Sequence, residues 1–321
     1  MAPRRSSGGG YHGGSSSNTC PGAFSYWTSQ ANLAYYILFL IMYIGISFGL
    51  CIVRKRSGPG KRLIGVVYIF ALLFAIISLA LDLVNLVLSE CEVSLPTDYD
   101  NVSIASTVLY HLSCLGLLFV VLYKLNSMLR SRLGSVVTTV RVILLAIFGI
   151  MAAVYIAYIA LSGYLWSNDL YYYRNEADGL VDSTQKLSMA VRSLYLICVL
   201  VSTVLAITTV SSLRRAHISG GDLLGWIITL HLFMIIWAVL AVVIPALTTY
   251  SKLDVSPVTS FALAYILTFF QALSFIALLA IAKHASWGQD AAAMHHQPQV
   301  YAPVQTAYDP HYQSEFVGHA K

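Results

Sequence analysis

Charge is what this chain has least of. Asp, Glu, Lys and Arg together make up 10% of its 321 residues, while 58% are hydrophobic. A soluble domain carries about 25% charge, so there is too little here to cover a water-facing globule. Catalytic signatures are missing too. There is no HExxH, phosphate-binding loop or Cys/His metal spacing, and each of these supplies a base, metal or phosphate cradle that a common hydrolase or nucleotide enzyme needs. An enzyme is therefore the weakest class, and no metal is expected. No basic patch falls on a soluble face, which argues against nucleic acid as a partner. The first 30 residues hold no apolar core of a signal peptide, so the first apolar segment is expected to act as its own insertion signal. The last apolar segment has no lysine before Lys283. A retinal Schiff base needs an amine inside that helix, so retinal is not expected and no cofactor is implied.

What the chain does have is long apolar runs. Seven of them, at about 33–53, 63–89, 102–123, 142–166, 187–210, 223–249 and 258–282, each reach the ~20 residues that cross a bilayer as a helix. The expected fold is all-α: a polytopic seven-helix membrane bundle at 33–283. It is flanked by a flexible Gly/Ser-rich tail at 1–32 and a disordered polar tail at 284–321. Short connections make successive helices antiparallel neighbours.

The few charges are not scattered. The segments between the runs alternate in sign. Arg54, Lys55, Arg56, Lys61 and Arg62 lie on one side, as do Lys124, Arg130, Arg132 and Arg141, then Arg214 and Arg215. Glu90, Glu92, Asp98 and Asp100 lie on the other, as do Asp169, Glu176, Asp178 and Asp182, then Asp254. Lys and Arg accumulate on the cytoplasmic side, so the N-terminus is expected outside and the C-terminus in the cytoplasm, most plausibly of the plasma membrane, with an endomembrane as the alternative.

Arg4, Arg5, Arg174, Lys186 and Lys252 are exceptions outside the runs, and two further charges stand apart. Asp82 and Arg192 fall inside apolar runs, about 10 and 8 Å below the outer boundary at 1.5 Å per residue. His111 falls about 13 Å below it. Ionisable groups inside a membrane are costly and mark candidate sites. Helical spacing puts Asp82 on one face with Ser78, Asn85 and Ser89, and His111 on one face with Ser103, Thr107 and Cys114. The functional expectation is an outward-facing ligand pocket of Asp82, Asn85, Thr107, His111 and Arg192. The plainer alternatives are a polar network that fixes helix register and an Arg192 that snorkels to the interface. Pro245 should kink the sixth helix, and His231 should serve a helix–helix hydrogen bond.

Smaller features add modification and contact sites. Cys20 and Cys91 are the two cysteines on the outer, oxidising side and could form a disulfide. Asn101-Val102-Ser103 is a glycosylation sequon. Gly45 and Gly49 form a GxxxG, which suits either packing within the chain or a homodimer. Arg130, Arg132, Arg141, Arg214 and Arg215 would form a cytoplasmic basic surface. It could be read by a signalling protein or could simply touch anionic lipid.

Seven spans with this orientation, over 33–282, resemble a G-protein-coupled-receptor-type architecture. The hallmark motifs depart from it. The third run ends Leu122-Tyr123-Lys124 rather than Asp-Arg-Tyr, the seventh has no Asn-Pro-x-x-Tyr, and the sixth carries Trp237 and Pro245 without a Cys-Trp-x-Pro step. The size and the Tyr/His/Gln/Pro tail from Met294 to Tyr312 are similar to those of small seven-span membrane proteins of filamentous fungi. The resemblance implies a receptor-like sensor. A transporter or channel, and a membrane scaffold working through its tail, stand as alternatives. A hydrophobic plug below His111 would favour the first, and a continuous polar lining through Gln271 and His231 the second.

Overall fold

The computed structural model describes residues 23–56, 58–91, 96–132, 138–167, 174–215, 221–250, 256–284 and 287. Cys20, Tyr171 to Tyr173, the side chains of Arg132 and Arg214, residues 1–22 of the expected N-terminal tail and nearly all of the expected tail at 284–321 lie outside them; residues 27–32 of the former already belong to a helix.

The described residues form seven long helices and no strand. They are α1 (Trp27–Arg56), α2 (Val66–Glu90), α3 (Pro96–Phe119), α4 (Thr138–Ser167), α5 (Arg174–Arg215), α6 (Gly221–Tyr250) and α7 (Pro257–Lys283). A short 3-10 turn, Pro59–Arg62, joins α1 to α2. Beyond Phe119, α3 widens into a π-helical segment, Val120–Leu125, and resumes as Asn126–Arg132. All seven are long and apolar enough to cross a membrane.

Every helix but α2, which starts three residues inside its run, outruns the apolar run that announced it, because hydropathy marks the crossing and not the length of the helix. The clearest case is α5. The polar stretch before residue 187 is already helical from Arg174, with Lys186 and Asp182 paired at 2.6 Å one turn apart. Such i, i+4 pairs support an exposed helix. Pro257 opens α7 where its missing N–H costs little, and the Ser256 hydroxyl accepts from the Thr259 N–H at 3.2 Å.

Consecutive helices pack against one another, and α7 returns to α1, so the bundle closes on itself. The most extensive contact is α2 with α3. Small residues allow it: a Cβ on Gly116 would stand 2.7 Å from the Cβ of Ala71, closer than two carbons can sit. Higher up the same seam, Ser78 and Ser106 exchange hydrogen bonds, each hydroxyl reaching the other's carbonyl at 3.0 and 3.2 Å. The Gly45–Gly49 pair does less within the chain. Gly49 faces Leu279 of α7, but Gly45 is exposed with open space before it.

The bundle is apolar outside and holds polar groups within. Phe48 is 68% exposed and Ile150 63%, while Asn126, Ser202, His231 and Gln271 are buried. Lipid accepts such an exterior and water does not.

Candidate functional site

Three of the five groups that the sequence placed in one pocket fall into two adjacent cavities, both toward the end of the bundle opposite the basic segments. The first, of about 130 Å³, holds His111 from α3 and Arg192 from α5, walled by Tyr110, Tyr155, Tyr195 and Trp237. The second, of about 240 Å³, holds Asp82 from α2 with Tyr35, Ser78, Thr268 and Gln271. Tyr110 and Leu267 line both.

Arg192 owes its position to Pro245. A proline has no N–H, so in α6 the carbonyl four residues back, that of Ala241, loses its helical donor. Arg192 supplies one: its Nη1 donates to the Ala241 oxygen at 3.1 Å. Pro245 and Ala241 both line the cavity, so the proline and the guanidinium sit together. Among the described residues Arg192 has no ion pair, and no carboxylate lines its cavity. The walls are aromatic. Tyr195 packs edge-on against Trp237 with ring centres 4.9 Å apart, and the His111 ring stands edge-on to Tyr155 at 5.4 Å and Tyr158 at 5.2 Å. His111 Nδ1 is buried with no hydrogen-bond partner.

Asp82 is held differently. Its Oδ1 accepts from the Ser106 hydroxyl at 2.5 Å, at the top of the Ser78–Ser106 seam. Across its cavity the Tyr35 and Thr268 hydroxyls pair at 2.5 Å. Asp82 makes no hydrogen bond or ion pair with His111 or Arg192 among the described residues, so the three are not one network. Nor do the other two pocket candidates join it. Thr107 bonds back to the Ser103 carbonyl at 2.9 Å in its own helix, satisfying its hydroxyl locally. Asn85 lines neither cavity and leaves a buried Oδ1 without a partner.

Ser106 and the aromatic walls are the site residues that sequence reasoning missed. Ser106 lies off the Thr107–His111 face and belongs to the seam with α2. A signal for the walls existed in the presence of Tyr155, Tyr195 and Trp237 on three different helices, but nothing in one chain says that those helices converge.

A separate polar cluster lies toward the basic end. Asn126 Nδ2 donates to the Val121 and Leu122 carbonyls at 3.1 and 3.0 Å, the groups that the π-helical segment displaces from ordinary pairing. It also reaches Ser202 Oγ at 3.0 Å, and Ser202 lies 3.4 Å from His231 Nε2. His231 Nδ1 meets the Ile227 carbonyl at 2.8 Å, so His231 does join helices as expected, through α5. Neither of the two cavities above includes any of these three side chains. Of the basic surface, Arg215 is exposed, Arg130 has a buried Nε without a partner, and Arg141 lines a third cavity at that end.

The end opposite the basic segments carries the modification candidates. Cys91, the C-cap of α2, is disulfide-bonded, whereas Cys51, Cys114 and Cys198 are free. Cys20 lies outside the described residues. Next to Cys91, Glu90 accepts from the Ser29 hydroxyl at 2.5 Å and the Phe24 N–H at 2.9 Å, which ties the start of α1 to the end of α2. Asn101 of the sequon is exposed near the start of α3. No family model, curated protein or solved structure matches this chain.

Proposed function

We propose that this chain is a receptor-like integral membrane protein whose outward-facing Arg192 cavity takes a small organic acid with a compact apolar body. One observation carries the reading: a guanidinium with no carboxylate beside it, inside aromatic walls. A half-buried cation without a counter-charge is costly, and an incoming carboxylate would relieve that cost through a charge-assisted, two-pronged contact. The aromatic walls would cover the rest of the ligand. The size fits a compact body, since an engineered apolar cavity of ~150 Å³ takes benzene.

Reception rather than passage is supported by what lies beneath. Leu117, Leu118, Val121, Leu122, Phe275 and Leu278 are fully buried in contact-packed layers and answer to the plug expected of a sensor. Orientation with the N-terminus outside is supported by the disulfide-bonded Cys91 at the end where α1 begins, because disulfides persist in oxidising compartments. A transporter is the second reading. The buried Asn126–Ser202–His231 cluster would be its inner stepping stone.

The test uses the full chain in lipid nanodiscs, titrated with benzoate and with benzamide by calorimetry. Benzoate should bind and its neutral amide should not. Arg192→Gln should weaken benzoate by about ten- to a hundredfold, the scale of a lost charged hydrogen bond. Equal binding of the two ligands, or of wild type and variant, would refute the reading. Accumulation of labelled benzoate inside proteoliposomes would favour the transporter.

A further inference from the structure

The third cavity, of about 370 Å³, lies at the basic end of the bundle and plays no part in the acid-sensing reading. Three cations from three separate elements line it: Arg62 from the turn between α1 and α2, Lys124 from the π-helical segment, and Arg141 from the first turn of α4. Tyr123, Ser127 and Ser131 add hydroxyls, and no carboxylate lines it. Among the described residues none of the three cations has an ion pair. The positive-inside rule explains why cations lie on this side. It does not explain their convergence on one concave, hydroxyl-bearing site.

The site is also built rather than incidental. Gly60, two residues before Arg62, is buried with its Cβ position filled by the Ala282 carbonyl at the end of α7. The turn carrying Arg62 is thus seated on another helix, and a preset donor loses less freedom on binding. The helix face does the same for the hydroxyls. Tyr123, Ser127 and Ser131 follow one another at intervals of four, with Lys124 three residues before Ser127, so one helical face presents all four to the hollow, on and just past the wide turn of the π-helical segment. Asn126 fixes that wide turn through its two carbonyl contacts.

We infer that this cavity is a binding site for a phosphomonoester group, offered by the headgroup of a phosphorylated inositol lipid of the adjoining leaflet or by a soluble inositol phosphate. A phosphomonoester brings close to two negative charges and three acceptor oxygens, which matches three unpaired cations with hydroxyls between them. Basic pockets between transmembrane helices on the cytoplasmic side hold such headgroups. A phosphodiester lipid with one charge does not use the whole set.

The experiment places the full chain in phosphatidylcholine nanodiscs and measures lipid retention by native mass spectrometry. One arm contains a bisphosphorylated phosphatidylinositol, a second contains phosphatidylserine at matched total charge, and a third adds soluble inositol trisphosphate to plain nanodiscs. The phosphoinositide should be retained at one copy per chain, about tenfold above phosphatidylserine. Arg62→Gln and Arg141→Gln should each lower retention severalfold with unchanged melting in plain nanodiscs. Arg215→Gln, equally basic but outside the cavity, should leave it unchanged. Saturable binding of the soluble inositol phosphate at least as tight as the lipid supports the site and makes a soluble ligand its occupant. Equal retention of phosphatidylserine, or equal loss in the Arg215 variant, overturns the inference, because either would show a response to charge alone.

Discussion

Arg192 has a structural role beside the one proposed for it, and that role can be measured. In the wild type it replaces the donor that Pro245 removes from Ala241. Arg192→Gln should therefore destabilise the bundle by about 1–3 kcal/mol, the cost of leaving a buried carbonyl unmet. Pro245→Ala returns an N–H to that position, so the same Arg192 substitution should cost less in its presence. Unfolding in detergent mixtures should show a coupling of about 1 kcal/mol or more between the two sites. Additive effects would mean that Arg192 and Pro245 are independent. At this scale the sequence was half legible. Asp82, His111 and Arg192 stood out because charge inside an apolar run is rare. Their partners did not, because Ser106, Tyr155 and Trp237 are ordinary residues for a membrane helix. What singles them out is the azimuth of each helix in the bundle, which no local pattern encodes.

Between helices, the decisive contact is the α2–α3 seam. Gly116 touches Ala71 at the distance where a methyl group cannot be added without movement. Gly116→Ala should lower the melting temperature, with a cost of about 1–3 kcal/mol for the forced separation. Ala71→Gly in the same chain should recover much of it by making room. A single Gly116→Ala variant that melts like wild type would show that the seam has slack. The seven helices were readable because lipid demands a long apolar run for each. The π-helical widening at Val120–Leu125 was not, since nothing about that stretch differs from an α-helix in composition. Its sign lies one residue later, in Asn126, whose amide reaches back to the displaced carbonyls. Likewise the GxxxG of α1 read as a packing motif, whereas the glycine that is truly crowded by another helix side chain is the lone Gly116.

As a whole, the described residues form a closed ring of helices with most of their cations at one end and a disulfide-bonded cysteine at the other. The orientation proposed from that polarity can be tested directly. With Lys61→Cys in a chain whose free cysteines are otherwise replaced, a membrane-impermeant maleimide should label intact cells only after permeabilisation. Labelling of unbroken cells would reverse the topology. Fold class was the most legible property of all, because it rests on composition over hundreds of residues. The division of the expected pocket into two was the least legible, because it depends on where two side chains stand. Those side chains, Tyr110 and Leu267, bound both cavities. They work as an insulator. A carboxylate on one side and a guanidinium on the other lie in a medium where opposite charges attract far more strongly than in water, yet a phenol ring and an isobutyl group stand between their chambers. The bundle keeps an ion pair unmade.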